Sequence, residues 1–216
     1  MVTRRGVGRA GFTLIEILVA VILLSLLVAA TFPVVMQQIE RGEPTRVAND
    51  LASIRSGVEA FRANVRSAWP GDLEDLVNQV LTDSTDVELT GKKFTTNQRN
   101  RWDGPYIDAA LVHQAHPAGN VGTGFNATIS AAIGCFDATA ATVTNTTFDA
   151  SPSTCTAGTH HVAVEITGID SADYVRLNSV IDPTDGYSGS GDDVAGRLRR
   201  DADTSVSYYL ITPFRT

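Results

Sequence analysis

Residues 12–35 form 24 consecutive positions with a single charge, Glu16. As a helix rising about 1.5 Å per residue, that run is long enough to cross a bilayer core of roughly 30 Å. Arg4, Arg5 and Arg9 precede it, and residues 1–11 contain no acid. Such a basic flank predicts a cytoplasmic N-terminus and export of everything after the helix. An ordinary secretory signal has a short apolar core followed by a small-residue cleavage site. Here the small residue, Gly11, precedes the apolar run, and the run is too long for a signal core. Glu16 is costly in such a place, roughly 2.5–3.5 kcal/mol at mid-membrane and less near a helix end. A charge placed there has a partner and a purpose.

Gly11-Phe12-Thr13-Leu14-Ile15-Glu16 resembles the processing motif of type IV prepilins and type II secretion pseudopilins. The resemblance implies that a membrane prepilin peptidase cuts between Gly11 and Phe12 and methylates the new N-terminus. Residues 1–11 would then be a leader and Glu16 fifth in the mature chain. Pro33 would be twenty-second, where a helix-loosening proline is frequent in major pilins and pseudopilins. The resemblance covers about the first 60 residues; Trp69-Pro70-Gly71 and Trp102-Asp103-Gly104-Pro105-Tyr106 resemble parts of major pseudopilins more weakly.

Formal net charge is −7, and loss of the three leader arginines takes it to −10. An acidic exported domain does not present the basic face of a general nucleic-acid binder, so no nucleic-acid partner is expected. Outside the cytoplasm, Cys135 and Cys155 are expected to form a disulfide that closes a loop of about 20 residues and stabilises by roughly 3 kcal/mol. Two buried free thiols are the alternative. Two cysteines alone do not make a structural zinc site.

Along the chain, residues 12–35 read as the transmembrane and polymerisation helix, 36–68 as its amphipathic continuation and 69–216 as a globular domain. Pro33 predicts a kink or loosened turn, and Pro44 is suited to open a fresh helix. Val47, Leu51, Ile54, Val58, Phe61 and Val65 form one apolar stripe that predicts docking on a globular body rather than a coiled-coil seam. Trp69-Pro70-Gly71 ends that helix. Asp72 predicts the cap of a short helix to about residue 81, followed by a polar, turn-rich stretch over 82–100. Residues 125–136, 161–169 and 205–211 read as strands, and 171–180 as a helix capped by Ser171. Residues 137–154 read as a surface excursion with little core material. The fold class is therefore α+β: a long N-terminal helix packed on a small antiparallel sheet, pilin-like by resemblance.

No nucleophile elbow, dinucleotide fingerprint or phosphate loop is present, and the chain is expected not to be an enzyme. His113, His116, His160 and His161 read as ordinary surface histidines, because a strand would point the last two to opposite faces. Asn126 and Asn145 fit a glycosylation pattern weakly. Asp182, Asp185, Asp192 and Asp193 lie in a Gly/Ser-rich loop and offer hard oxygen ligands for calcium, although their spacing is not that of an EF-hand. By resemblance, major pseudopilins bind calcium in a C-terminal loop.

The reading is a structural subunit of a type IV filament, pilin or pseudopilin. Its partners would be further copies or related pilin subunits, the prepilin peptidase, an inner-membrane assembly platform and the membrane. It would sit in the inner membrane as a single-pass protein before assembly, then in a periplasmic or extracellular filament. By the same resemblance Glu16 is expected to pair with the Phe12 amine of a neighbouring subunit; pairing with the Phe12 amine of its own helix, about one turn away, is the alternative. A minor or tip subunit and a membrane-tethered binding domain or enzyme are the alternatives.

Overall fold

The structure is a computed structural model that describes residues 12–66, 68–82, 86–108, 119–144, 146–150 and 155–215. Helix α1 spans Leu14–Val65. Pro33 and Pro44 both lie inside it, so the helix expected to start afresh at Pro44 instead runs through it. The chain divides between Gly42 and Glu43 into two compact units. In the first, the apolar side chains of α1 are exposed along residues 14–36.

The second unit is built on the remainder of α1. Val47, Leu51, Ile54, Val58, Phe61 and Val65 are all fully buried, as their 4,3,4,3,4 spacing predicts. Each such side chain contributes about 1.5–3 kcal/mol relative to exposure. They share one core with Ile129, Ile133, Val162, Val164, Ile166, Tyr209 and Ile211 of the sheet. The α+β class is the expected one, with the helix against one face of an antiparallel sheet.

The sheet has six strands: β1 (Val121–Gly122), β2 (Thr128–Asp137), β3 (Phe148–Asp149), β4 (His160–Thr167), β5 (Leu198–Asp201) and β6 (Val206–Pro213). Their order is β1-β2-β4-β6-β5, and β3 also pairs with β2. Every pairing is antiparallel. Helix α2 (Thr96–Arg101) and helix α3 (Ser171–Ile181) complete the elements.

Several expectations are corrected. The helix expected over 72–81 is reduced to one 3-10 turn, Glu74–Leu76. Its flanking backbone is committed elsewhere: Leu73 N–H donates to the Ala131 carbonyl (2.9 Å) and Ile133 N–H to that of Gly71 (3.1 Å). The Leu76 carbonyl accepts from Tyr106 N–H at 2.7 Å. With these groups bonded to distant segments, the i+4 ladder cannot propagate. The polar 82–100 stretch contains α2, held by a capping box between Thr95 and Gln98. The strand expected from residue 125 begins at Thr128, because Phe125 (φ 60°, ψ 18°) sits in a left-handed turn. Asp170, not Ser171, caps α3, its carboxylate accepting from Asp173 N–H at 2.8 Å.

The 137–154 excursion also carries more core than its composition suggests. Val143 is buried with Phe136, Ala163, Tyr208 and Leu210 on the other face of the sheet, and Phe148 packs against them. A Cβ at Gly134 would meet the Phe148 ring, so this glycine lets β3 lie close to β2. His160 and His161 are both half-buried rather than on the open surface. His113, His116 and Asn145 lie outside the described residues.

Candidate functional site

The N-terminal segment is built by local chemistry. Thr13 precedes α1, its carbonyl accepting from Glu16 N–H (3.1 Å) and Ile17 N–H (3.3 Å). Thr13 Oγ1 also accepts from Glu16 N–H at 3.2 Å, as an N-cap hydroxyl does. Glu16 falls in the first turn, where a carboxylate complements the helix dipole. Phe12 is 77% exposed.

Residues Leu14–Met36 are long and apolar enough to cross a membrane, and none of that stretch is buried within the protein. The hydroxyls inside it are satisfied along the helix itself: Ser25 Oγ donates to the Val21 carbonyl (2.7 Å) and Thr31 Oγ1 to that of Leu27 (3.0 Å). That leaves Glu16 as the one ionisable side chain on an otherwise apolar helical surface. Pro33 contributes no backbone donor to α1. Gly11, the residue expected before the cut, lies outside the described residues.

In the second unit Cys135 and Cys155 are bridged, with Cα atoms 5.6 Å apart. Cys135 is buried on β2, so the bridge ties the chain after the 137–154 excursion back to the sheet.

The four aspartates of the acidic loop are drawn into backbone and side-chain bonding. Asp182 Oδ2 accepts from Arg197 N–H (2.6 Å) and Leu198 N–H (2.7 Å). Asp185 accepts from Asn178 Nδ2 (2.7 Å) and Tyr187 N–H (3.1 Å). Asp192 accepts from Val143 N–H (3.1 Å) and Ala202 N–H (3.0 Å). Asp193 accepts from the buried Tyr174 hydroxyl (2.8 Å) and from Ala195 N–H (3.2 Å). Burial holds the Asp193 carboxyl above its ordinary range despite the Tyr174 bond, and Asp185 and Asp182 push the same way. These contacts fold the loop onto α3 and β5. Among the described residues, three carboxylates whose ligand atoms all lie within 4.8 Å of one another occur elsewhere, at Asp72, Glu74 and Asp75. Sequence reasoning missed that group; the signal available was its run of acids directly after Trp69-Pro70-Gly71.

No curated protein and no solved structure matches the chain. A family model does match its N-terminal part, over the segment that holds Phe12, Glu16 and the start of the apolar helix. Residues 8–32 thus carry the prokaryotic N-terminal methylation motif, the prepilin-type signal of type IV pilins and pseudopilins.

Proposed function

We propose that the chain is a structural subunit of a type IV filament, a pilin or type II secretion pseudopilin, and not an enzyme. In this reading a prepilin peptidase cuts between Gly11 and Phe12. The subunit then waits in the inner membrane until an assembly platform docks it on further copies or related subunits. What carries the proposal is Glu16: one carboxylate on an exposed apolar helix, four residues from the new N-terminus, within a matched methylation motif.

Cleavage leaves Phe12 with an amine that is positive near neutral pH. Among packed apolar helices that amine and Glu16 are each costly unless paired. Pairing Glu16 of an incoming subunit with the Phe12 amine of its neighbour relieves both charges and sets the axial register.

Glu16→Ala is the test. The variant should be cleaved, inserted and folded as the wild type, yet enter filaments at least ~10-fold less, the scale of one lost charge-assisted bond. Incorporation at the wild-type rate would remove intersubunit pairing as the role of Glu16. If the wild type forms no assembly with its full machinery present, a membrane-tethered domain becomes the better reading.

A further inference from the structure

The segment that follows α1 gathers carboxylates where solvent cannot screen them. Asp75 is 2% exposed and Asp86 4%. One Asp75 oxygen, Oδ2, accepts from Gly71 N–H at 2.7 Å. The other, Oδ1, is buried with no hydrogen-bond donor. Asp72 Oδ1 accepts from Glu74 N–H (2.8 Å) and Asp75 N–H (3.3 Å), which turns the three acids around one point. Ligand oxygens of Asp72, Glu74 and Asp75 all lie within 4.8 Å of one another. Oxygens held 2.3–2.6 Å from a single ion can be no more than about 5 Å apart, so the observed spread is within the reach of one shared cation.

Asp86 lies close enough to Asp75 for the two carboxyl groups to interact, and its Oδ2 accepts from Leu81 N–H at 2.5 Å. Burial holds the Asp75 carboxyl well above its ordinary range, and the Asp86 and Asp72 charges push it further. The surroundings are rigid. Trp102 Nε1 donates to the Asp75 carbonyl at 2.8 Å, and a Cβ on Gly71 would meet the Val87 carbonyl. These carboxylates cannot readily turn away from one another.

We propose that Asp72, Glu74 and Asp75 hold a hard divalent cation, calcium or magnesium, with the buried, unpartnered Asp75 Oδ1 turned to it. The donors are all carboxylate oxygens, without His or Cys, which suits these ions rather than zinc or copper. The cation would neutralise the buried charges and pin the 3-10 turn to the end of α1 through Gly71. This site is separate from the Asp182–Asp193 region and does not depend on the filament reading.

The test uses the full chain in detergent, stripped of metal on a chelating resin, with radioactive calcium in equilibrium dialysis and thermal melting in calcium or magnesium. Wild type should take up the ion and gain at least ~4 °C at millimolar concentration. Asp75→Asn and Asp72→Asn should each weaken uptake at least ~10-fold, while Asp203→Asn, at an exposed turn, leaves uptake intact. The half-buried Asp72→Asn decides the matter if Asp75→Asn does not fold. Absence of any uptake or thermal gain in the wild type would mean that Asp75 and Asp86 share a proton instead, and would overturn the proposal. Uptake by the folded Asp75→Asn and Asp72→Asn variants at the wild-type level would overturn it as well.

Discussion

His161 sits on β4 paired with Phe136 of β2 and Pro213 of β6, and its Nδ1 is buried without a partner. Burial holds the imidazole below its ordinary value of 6.5, and the nearby Arg199 charge adds to the effect. The unfolded chain therefore binds the proton more readily than the folded one. The contribution of His161 is fully present above pH 6.5 and is lost as pH falls through the depressed folded value. NMR titration of His161 should give a midpoint below 6.5, and His161→Gln should flatten the loss of stability just below that pH. A midpoint at or above 6.5 would contradict the burial argument. The spacing of His160 and His161 on a strand is legible in the sequence, but this environment is not, because it depends on which strands lie to either side. The same limit applies to charged residues. Glu16 stands out because a lone carboxylate in an apolar run is costly without a partner. Asp75 looks like one acid in a polar stretch until Trp102 and Gly71, remote or adjacent in sequence, enclose it.

At the scale of elements, what the sequence reveals is what its periodicity encodes. The stripe from Val47 to Val65 is read correctly because one helix face meets one core. Helix α2 has no buried residue and so no apolar period; its signal was the Thr95-x-x-Gln98 capping box. Strand β5, Leu-Arg-Arg-Asp, is hidden by its charges. Arg200 is nevertheless buried, donating to the carbonyls of Ile169 (3.3 Å) and Asp170 (3.0 Å) and lying over the Tyr174 ring. Only the fold supplies those acceptors. The disulfide belongs to this scale too. It spans 20 positions and ties the excursion that buries Val143 and packs Phe148 against the same cluster. Replacing both cysteines by alanine should lower stability by about 3 kcal/mol, read as a shifted denaturation midpoint. The loss should come mostly from the unfolded state, so the near-UV spectrum of the folded variant should match the wild type. A change under about 0.5 kcal/mol would mean that β2–β3 pairing alone holds the excursion.

At the scale of the whole molecule, the chain uses two ways of handling apolar surface. Up to Met36 the apolar side chains of α1 are exposed along its length, as a segment meant for lipid or for other copies requires. From Glu43 onward each apolar position of the stripe is buried by this chain's own sheet and loops. The second unit also supplies its own polar anchors to the helix: Phe125 N–H donates to Glu43 Oε2 at 2.7 Å, and the Thr123 hydroxyl donates to Asp50 Oδ2. At the far end, Trp69 Nε1 and Arg62 both donate to the Arg215 carbonyl, each at 3.1 Å, while Trp69 stacks on Phe214. The core, both sheet faces and the disulfide therefore all lie within residues 43–216. A fragment beginning at Gly42, which leaves Glu43 with a peptide bond before it, should be soluble without detergent and monomeric. It should unfold in one cooperative transition with intact near-UV signal, and melt within about 4 °C of the globular transition of the full chain, a shift worth roughly 1 to 2 kcal/mol for a domain of this size. The first turn of the shortened helix will fray, but Val47 and Leu51 are held by tertiary packing rather than by upstream turns. Under the filament reading the same fragment, lacking Glu16 and the apolar helix, should not enter filaments. Aggregation, or a broad transition without near-UV signal, would show instead that the exposed apolar half of α1 is needed for the second unit to fold.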